Sequence, residues 1–172
     1  MTAWRSPAIA FASRAMAFAR SGDERDAIAA VDSTFTGLAR LDVRAIVAVA
    51  RGRATVLDTI ERGTAALPHD VTLAARRAAS ALRSLRRQPA GESARATFDR
   101  VRTAFELDRL GRDDQADLDT FAAVADEFDR RGPNWTVDEL MAAYDARARR
   151  PPVAEIAPAA PLPHREPEPA RA

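Results

Sequence analysis

The sequence contains no cysteine and no lysine, and each absence removes a class of chemistry. Its 172 residues include 26 basic side chains, all of them arginine. Without cysteine there is no disulfide, no thiolate nucleophile and no cysteine-ligated metal. Without lysine there is no Schiff base and no P-loop lysine to hold a phosphate. A chain free of cysteine fits a reducing compartment, and we expect the protein to be cytoplasmic.

Long apolar runs and an excess of one charge are also missing. No apolar stretch approaches the roughly 20 residues that a membrane-spanning helix requires. The sequence has 26 basic and 25 acidic residues, and this balance argues against a generally basic surface that would bind nucleic acid. Residues 1–22 carry three arginines and no acid, as transit peptides do, but their apolar spacing favours a first helix of the folded domain. A transit-like or membrane-surface helix is the alternative for this segment.

Strand patterns are absent as well, whereas apolar residues recur at helical spacing over residues 7–150. This pattern predicts an all-α domain over 7–150, a compact antiparallel bundle of six or seven helices. Ser6 and Pro7 are expected to begin the first helix and Gly22 to end it. Residues 151–172 are rich in proline and alanine and poor in large apolar side chains, so we expect a disordered tail there.

The second and third helices are the least regular in sequence. The second is expected over about 23–40, although its hydroxyl and glycine residues make it a weak helix former. Apolar residues between Val43 and Leu67 fall at alternating steps of three and four, which predicts one long helix. Gly52 is the competing stop signal. We favour continuity, because an isolated glycine costs a helix only about 1 kcal/mol.

In the second half of the chain, apolar spacing and turn residues predict four more helices with clear boundaries. Turns at residues 87–93, at Gly111 and at Gly132 separate them. Thr136 and Glu139 form a capping box at the start of the last one. The four helices are expected over 71–88, from 94 towards 110, from about 112 to 131, and from about 137 to 150.

Gly22, Asp23 and Ala27 resemble the helix junction of tetratricopeptide repeats, in which a glycine and an acid precede the second helix of the pair. Gly91 and Ala96 repeat this spacing 69 residues later, close to two repeats of about 34 residues. The resemblance implies a helical repeat that binds other proteins. The intervening copy and the bulky residues of the repeat are missing, however. Since any antiparallel helix pair produces a glycine and an acidic N-cap, we interpret both junctions as ordinary helix turns.

Asp113, Asp114 and Asp117 are spaced as in helical diphosphate-utilising synthases such as prenyl transferases, which present carboxylates to magnesium. The resemblance implies a magnesium-dependent enzyme. The three acids also stand at a predicted helix start, where caps and the helix dipole favour negative charge. No second acidic cluster is placed as in those synthases. We therefore rank this enzyme third among the functions considered, and predict no metal, no cofactor and no catalysis.

Charge is distributed unevenly along the chain. Residues 71–91 carry five arginines and no acid, whereas residues 104–129 carry nine acids and two arginines. On a helix, Arg76, Arg83 and Arg87 lie opposite the apolar face, so we expect them to form an exposed arginine row. Such a row suits phosphates or an acidic partner.

These observations favour a non-enzymatic interaction or adaptor protein that binds another macromolecule, in the first place another protein, through a helical face. The alternative is an accessory nucleic-acid-binding protein that uses the arginine row, because guanidinium groups neutralise phosphates. Balanced charge weighs against that alternative.

Overall fold

The computed structural model describes residues 6–50, 55–63, 69–87, 91–132 and 134–149, and within these ranges it contains helices and no strand. The all-α prediction is confirmed. Two short 3-10 turns, Thr34–Thr36 and Leu107–Arg109, accompany the α-helices. The eight α-helices are α1 (Pro7–Ser21), α2 (Glu24–Val31), α3 (Arg40–Ala50), α4 (Val56–Arg62), α5 (His69–Arg86), α6 (Ala94–Ala104), α7 (Arg112–Asp129) and α8 (Val137–Ala148).

Helix α1 forms the centre of the bundle. Eight of its 15 residues are buried, and five helices, α2, α5, α6, α7 and α8, pack against it. Its predicted boundaries are confirmed. The Ser6 hydroxyl accepts a hydrogen bond from the Ala8 amide at 3.2 Å, and Gly22 ends the helix with a φ of 68°. Because half of its buried residues are alanine, the surrounding helices approach closely.

The second helix is shorter than predicted. α2 ends at Val31 instead of near residue 40, and the chain then enters the 3-10 turn that Ser33 caps. The Thr36 hydroxyl donates a 2.8 Å hydrogen bond to the Val31 carbonyl, and Gly37 leaves the turn with a φ of 72°. Short hydroxyl side chains that bond the nearby backbone compete with helix continuation. This local bonding explains the early end of α2.

The single long helix predicted between residues 43 and 67 is wrong. α3 ends at Ala50, and Thr55 is extended, with a φ of −71° and a ψ of 162°. The Thr55 hydroxyl accepts a hydrogen bond from the Asp58 amide at 3.1 Å, so α4 has an N-cap of its own. Gly52, the predicted competing stop, lies outside the described residues. This division explains why the described part of the chain contains eight α-helices and not six or seven.

The boundaries of α5, α7 and α8 agree with the prediction to within a few residues, but α6 ends at Ala104 and does not run towards Gly111. Glu106 adopts a left-handed conformation, with a φ of 52°, which an α-helix cannot continue, and the second 3-10 turn follows it. The capping box of α8 is present: the Thr136 hydroxyl accepts from the Glu139 amide at 3.2 Å, and the Glu139 carboxylate accepts from the Thr136 amide at 3.1 Å. None of the helices that the structure describes is long and apolar enough to cross a membrane. The predicted tail, residues 151–172, lies outside the described part of the chain.

Charged side chains from neighbouring helices cap several helix ends. The Asp129 carboxylate of α7 accepts hydrogen bonds of 2.7 and 3.1 Å from the first two amides of α6. At C-termini the caps are arginines. Arg86 donates to two carbonyls in the last turn of α1, and Arg100 of α6 donates to the Ser84 carbonyl of α5 at 2.7 Å. Acids at N-termini and cations at C-termini complement the helix dipoles, so these contacts hold the helices in register.

Candidate functional site

The predicted arginine row, Arg76 and Arg83 of α5 with Arg87 one residue past its end, contains one paired and two unpaired members. Arg83 contacts α4, where its guanidinium group forms ion pairs with Asp58 and, at 2.6 Å, with Glu61. Arg76 and Arg87 are exposed and form no ion pair with any described residue. The row therefore offers two available guanidinium groups in place of the three expected.

The carboxyl of Asp58 that pairs with Arg83 has a lowered pKa. A hydrogen bond from Thr55 and then one from Arg83 lower the pKa of this carboxyl below its usual value. A lowered pKa means that the charged form is fully present at neutral pH and is lost only as the pH falls below about 3.9, the ordinary value for aspartate. Arg83 thus keeps its carboxylate partner throughout the physiological range.

The structure does not bring Asp113, Asp114 and Asp117 together as a metal site. Asp113 and Asp114 lie in the first turn of α7, and Asp114 accepts a 2.8 Å hydrogen bond from the Ser6 hydroxyl at the start of α1. Within the described ranges, no group of three or more histidine, aspartate or glutamate residues is placed to hold a metal ion. Negative side chains in this first turn stabilise the N-terminus of α7, because they interact favourably with the positive end of the helix dipole.

A groove lies between α5 and α6, and we call it the α5–α6 groove. Its wider end is a cleft of about 460 Å³ between α5, the first 3-10 turn and the residues after α6. A second cleft, of about 410 Å³, shares Ala104 with the first and lies towards the end of α5. The α5 residues that line the two clefts are Ala74, Arg77, Ala78, Ala81, Ser84 and Leu85. At steps of three and four these residues form one helix face about 16 Å long.

Aromatic rings line the wide end of the groove. Phe35 and Phe105 are half-buried, and their ring centroids lie 5.2 and 4.7 Å from that of Phe11. Phe11 belongs to the central helix and is fully buried. The two lining rings are therefore held by the core. The 3-10 turn approaches α5 closely at Gly37. A Cβ atom added to this glycine would lie only 3.3 Å from the Cβ atom of Ala74.

The groove carries one uncompensated charge. Arg77 lines the wide end, is exposed, and forms no ion pair with any residue in the described part of the chain. On the facing wall, Glu106 is paired with Arg109 at 2.5 Å. In the second cleft, Asp99 and Arg100 are both in ion pairs. The free charge of the groove is thus a single cation at its aromatic end.

The groove depends on residues that no single sequence pattern groups together. Arg77 lies in the basic segment but off the arginine row, and Phe105 ends an apolar stripe that predicts core packing. One signal was available: Ala74, Ala78 and Ala81 place small residues along one side of α5. Small side chains leave space beside a helix, and this space becomes a groove when the neighbouring helix is not in close contact there.

Comparisons with known proteins identify no relative, because no protein-family model, no curated protein and no solved structure matches the chain. The resemblance to tetratricopeptide junctions concerns the connections at Gly22 and at Gly91. Two residues separate α1 from α2 at Gly22, whereas Gly91 lies in a longer connection between α5 and α6. The two junctions therefore differ in length.

Proposed function

We propose that this protein is a non-enzymatic interaction module that binds another protein through the exposed side of α5. One observation carries the proposal. Arg76, Arg77 and Arg87 form no ion pair with any described residue, although the chain holds nearly as many acids as bases. Unpaired guanidinium groups on one helix favour charge-assisted, bidentate contacts with carboxylates of a partner.

Arginines on α6 provide the contrast. Arg102 forms ion pairs with Asp108 and, at 3.0 Å, with Asp119; burial of its side chain opposes the charged form, but these bonds raise its pKa above the usual value. A hydrogen bond to Asp99 likewise raises the pKa of Arg95. The three arginines of α6, Arg95, Arg100 and Arg102, are thus all paired within the fold. Arg76 and Arg77 of α5, and Arg87 just after it, have no ion pair with any described residue and are available to a partner.

Photo-crosslinking in the native organism tests the proposal. A photoreactive benzoylphenylalanine replaces Ser80, which is exposed on α5 one turn from Arg76, and the control variant carries it at exposed Ala116 on α7. We expect a discrete protein adduct from position 80 and not from position 116, and its loss when Arg76 and Arg87 are both changed to glutamate. Equal adducts at the two positions, or none at either, would contradict the proposal.

Nucleic-acid binding is expected to be weak, because α4 holds Arg83 and the row keeps only Arg76 and Arg87. Each phosphate contact adds roughly one unit to the slope of log affinity against log salt, so two contacts give a shallow slope. Fluorescence anisotropy with labelled duplex and single-stranded DNA at about 50 and about 200 mM salt measures it. Sub-micromolar, salt-sensitive binding that disappears in the Arg76→Gln, Arg87→Gln variant would replace the protein-binding proposal.

A further inference from the structure

We infer that the α5–α6 groove is the docking site for an amphipathic helix of a partner protein whose apolar face is flanked by acidic residues. This inference rests on the proposed function, which assigns the binding surface to α5, and it specifies the chemistry of the partner. Three features of the groove support it: its shape, its aromatic end and its charge.

The shape of the groove fits a helix. The lining residues of α5 extend from Ala74 to Leu85, a length of about 16 Å or three helical turns. Three of them are alanine, which permits the short axis-to-axis distances, about 8–10 Å, of packed helices. Helix-in-groove recognition uses anchor residues at steps of three and four, and three turns present four such anchors.

The aromatic end supplies an apolar anchor pocket. Its volume of about 460 Å³ accommodates large apolar side chains between Phe35 and Phe105. Because both rings rest on the buried ring of Phe11, the pocket exists before a partner arrives. A preformed pocket avoids the entropy loss of ordering side chains on binding. In protein interfaces, a few anchor side chains that fill such pockets contribute most of the affinity.

The charge of the groove selects an acidic helix. Arg77 is unpaired beside the aromatic pocket, and residues 71–91 contain no acid. Glu106 on the opposite wall is already neutralised by Arg109. A carboxylate one turn from the apolar anchor of the partner would reach Arg77, whereas a basic helix would meet like charge.

A synthetic peptide tests the inference with the full-length protein. The probe is a fluorescein-labelled peptide of about 18 residues, with leucine at steps of three and four and glutamate at the flanking positions. Two comparison peptides carry lysine in place of glutamate, or alanine in place of leucine. By fluorescence anisotropy we expect the glutamate peptide to bind at least about tenfold more tightly than either, a difference typical of one close charge pair or one buried anchor.

Reversing the charge of Arg77 locates the binding site. The Arg77→Glu variant is expected to lose about tenfold in affinity for the glutamate peptide and to gain affinity for the lysine peptide. Arg44→Glu is the matched control, because it makes the same charge change at an exposed arginine of α3, and no residue of α3 lines either cleft of the groove. Both residues are exposed, so circular dichroism should show both variants folded.

Equal binding of the glutamate and lysine peptides, or equal losses in Arg77→Glu and Arg44→Glu, would overturn the groove assignment. The crosslinking experiment at Ser80 tests the proposed function separately. If the adduct at Ser80 forms while the peptide fails, α5 binds a partner outside the groove. If both fail, the interaction function fails with the groove.

Discussion

Replacing Phe11 with alanine is expected to lower the free energy of unfolding by about 3–5 kcal/mol, the largest effect that we predict for a single substitution. Phe11 is fully buried in the central helix and contacts the rings of both Phe35 and Phe105. Its removal leaves a cavity that the surrounding helices cannot close without losing other contacts. The lost ring contacts add to that cost.

Urea unfolding followed by far-UV circular dichroism measures this loss. The matched control is Phe128→Ala, which removes the same atoms from a half-buried ring that packs at the edge of the core. We expect the control to cost less than about half as much, because less apolar area returns to water. Equal losses in the two variants would show that α1 is not the centre of the cooperative core.

The helices that sequence predicts well have an explicit signal at each end. α1 begins at Ser6–Pro7 and ends at Gly22, and both signals act through local geometry: a hydroxyl that bonds a free amide, and a residue that adopts a positive φ without strain. The capping box of Thr136 and Glu139 marks α8 in the same way. Such signals depend on a few adjacent residues, so they hold without knowledge of the tertiary structure.

The break between α3 and α4 was hidden by the apolar stripe. Val43, Ile46 and Ala50 are buried on α3, and Leu57 and Ile60 are buried on α4, as one long helix would also require. Two short helices that pack on one core preserve the same stripe, so periodicity cannot distinguish the two arrangements. The N-cap signal at residues 55–58, a threonine followed three residues later by an aspartate, was the evidence against continuity.

The candidate site was predictable only in part, for a tertiary reason. Helical periodicity places Arg76, Arg83 and Arg87 on one side of α5, and Arg76 and Arg87 are indeed exposed there. Arg83 is paired because α4 packs against α5 and presents two carboxylates, and no local pattern encodes that contact. Arg77 becomes a groove residue for the same kind of reason, since its neighbours come from distant parts of the chain.

The second large effect is expected for Gly22→Ala, which should destabilise the protein by about 2–3 kcal/mol. Gly22 has a φ of 68°, and this left-handed conformation costs a residue with a Cβ atom about 1–2 kcal/mol of conformational free energy. The new Cβ atom would also lie 2.5–2.7 Å from three guanidinium atoms of Arg86, which must then move. In moving, Arg86 loses its hydrogen bonds to the Ala19 and Arg20 carbonyls, a further cost of about 1 kcal/mol.

Gly91→Ala is the matched control for Gly22→Ala. Gly91 also has a positive φ, of 80°, but no atom lies within 4 Å of an added Cβ, so only the backbone strain of about 1–2 kcal/mol applies. The difference between the two variants in urea unfolding therefore measures the contribution of Arg86 to the end of α1. In an Arg86→Ala background that difference should vanish, which is a double-mutant test of the contact. If the two glycine variants instead unfold at the same urea concentration in the native background, Arg86 contributes nothing there, and apolar packing alone holds α5 against α1.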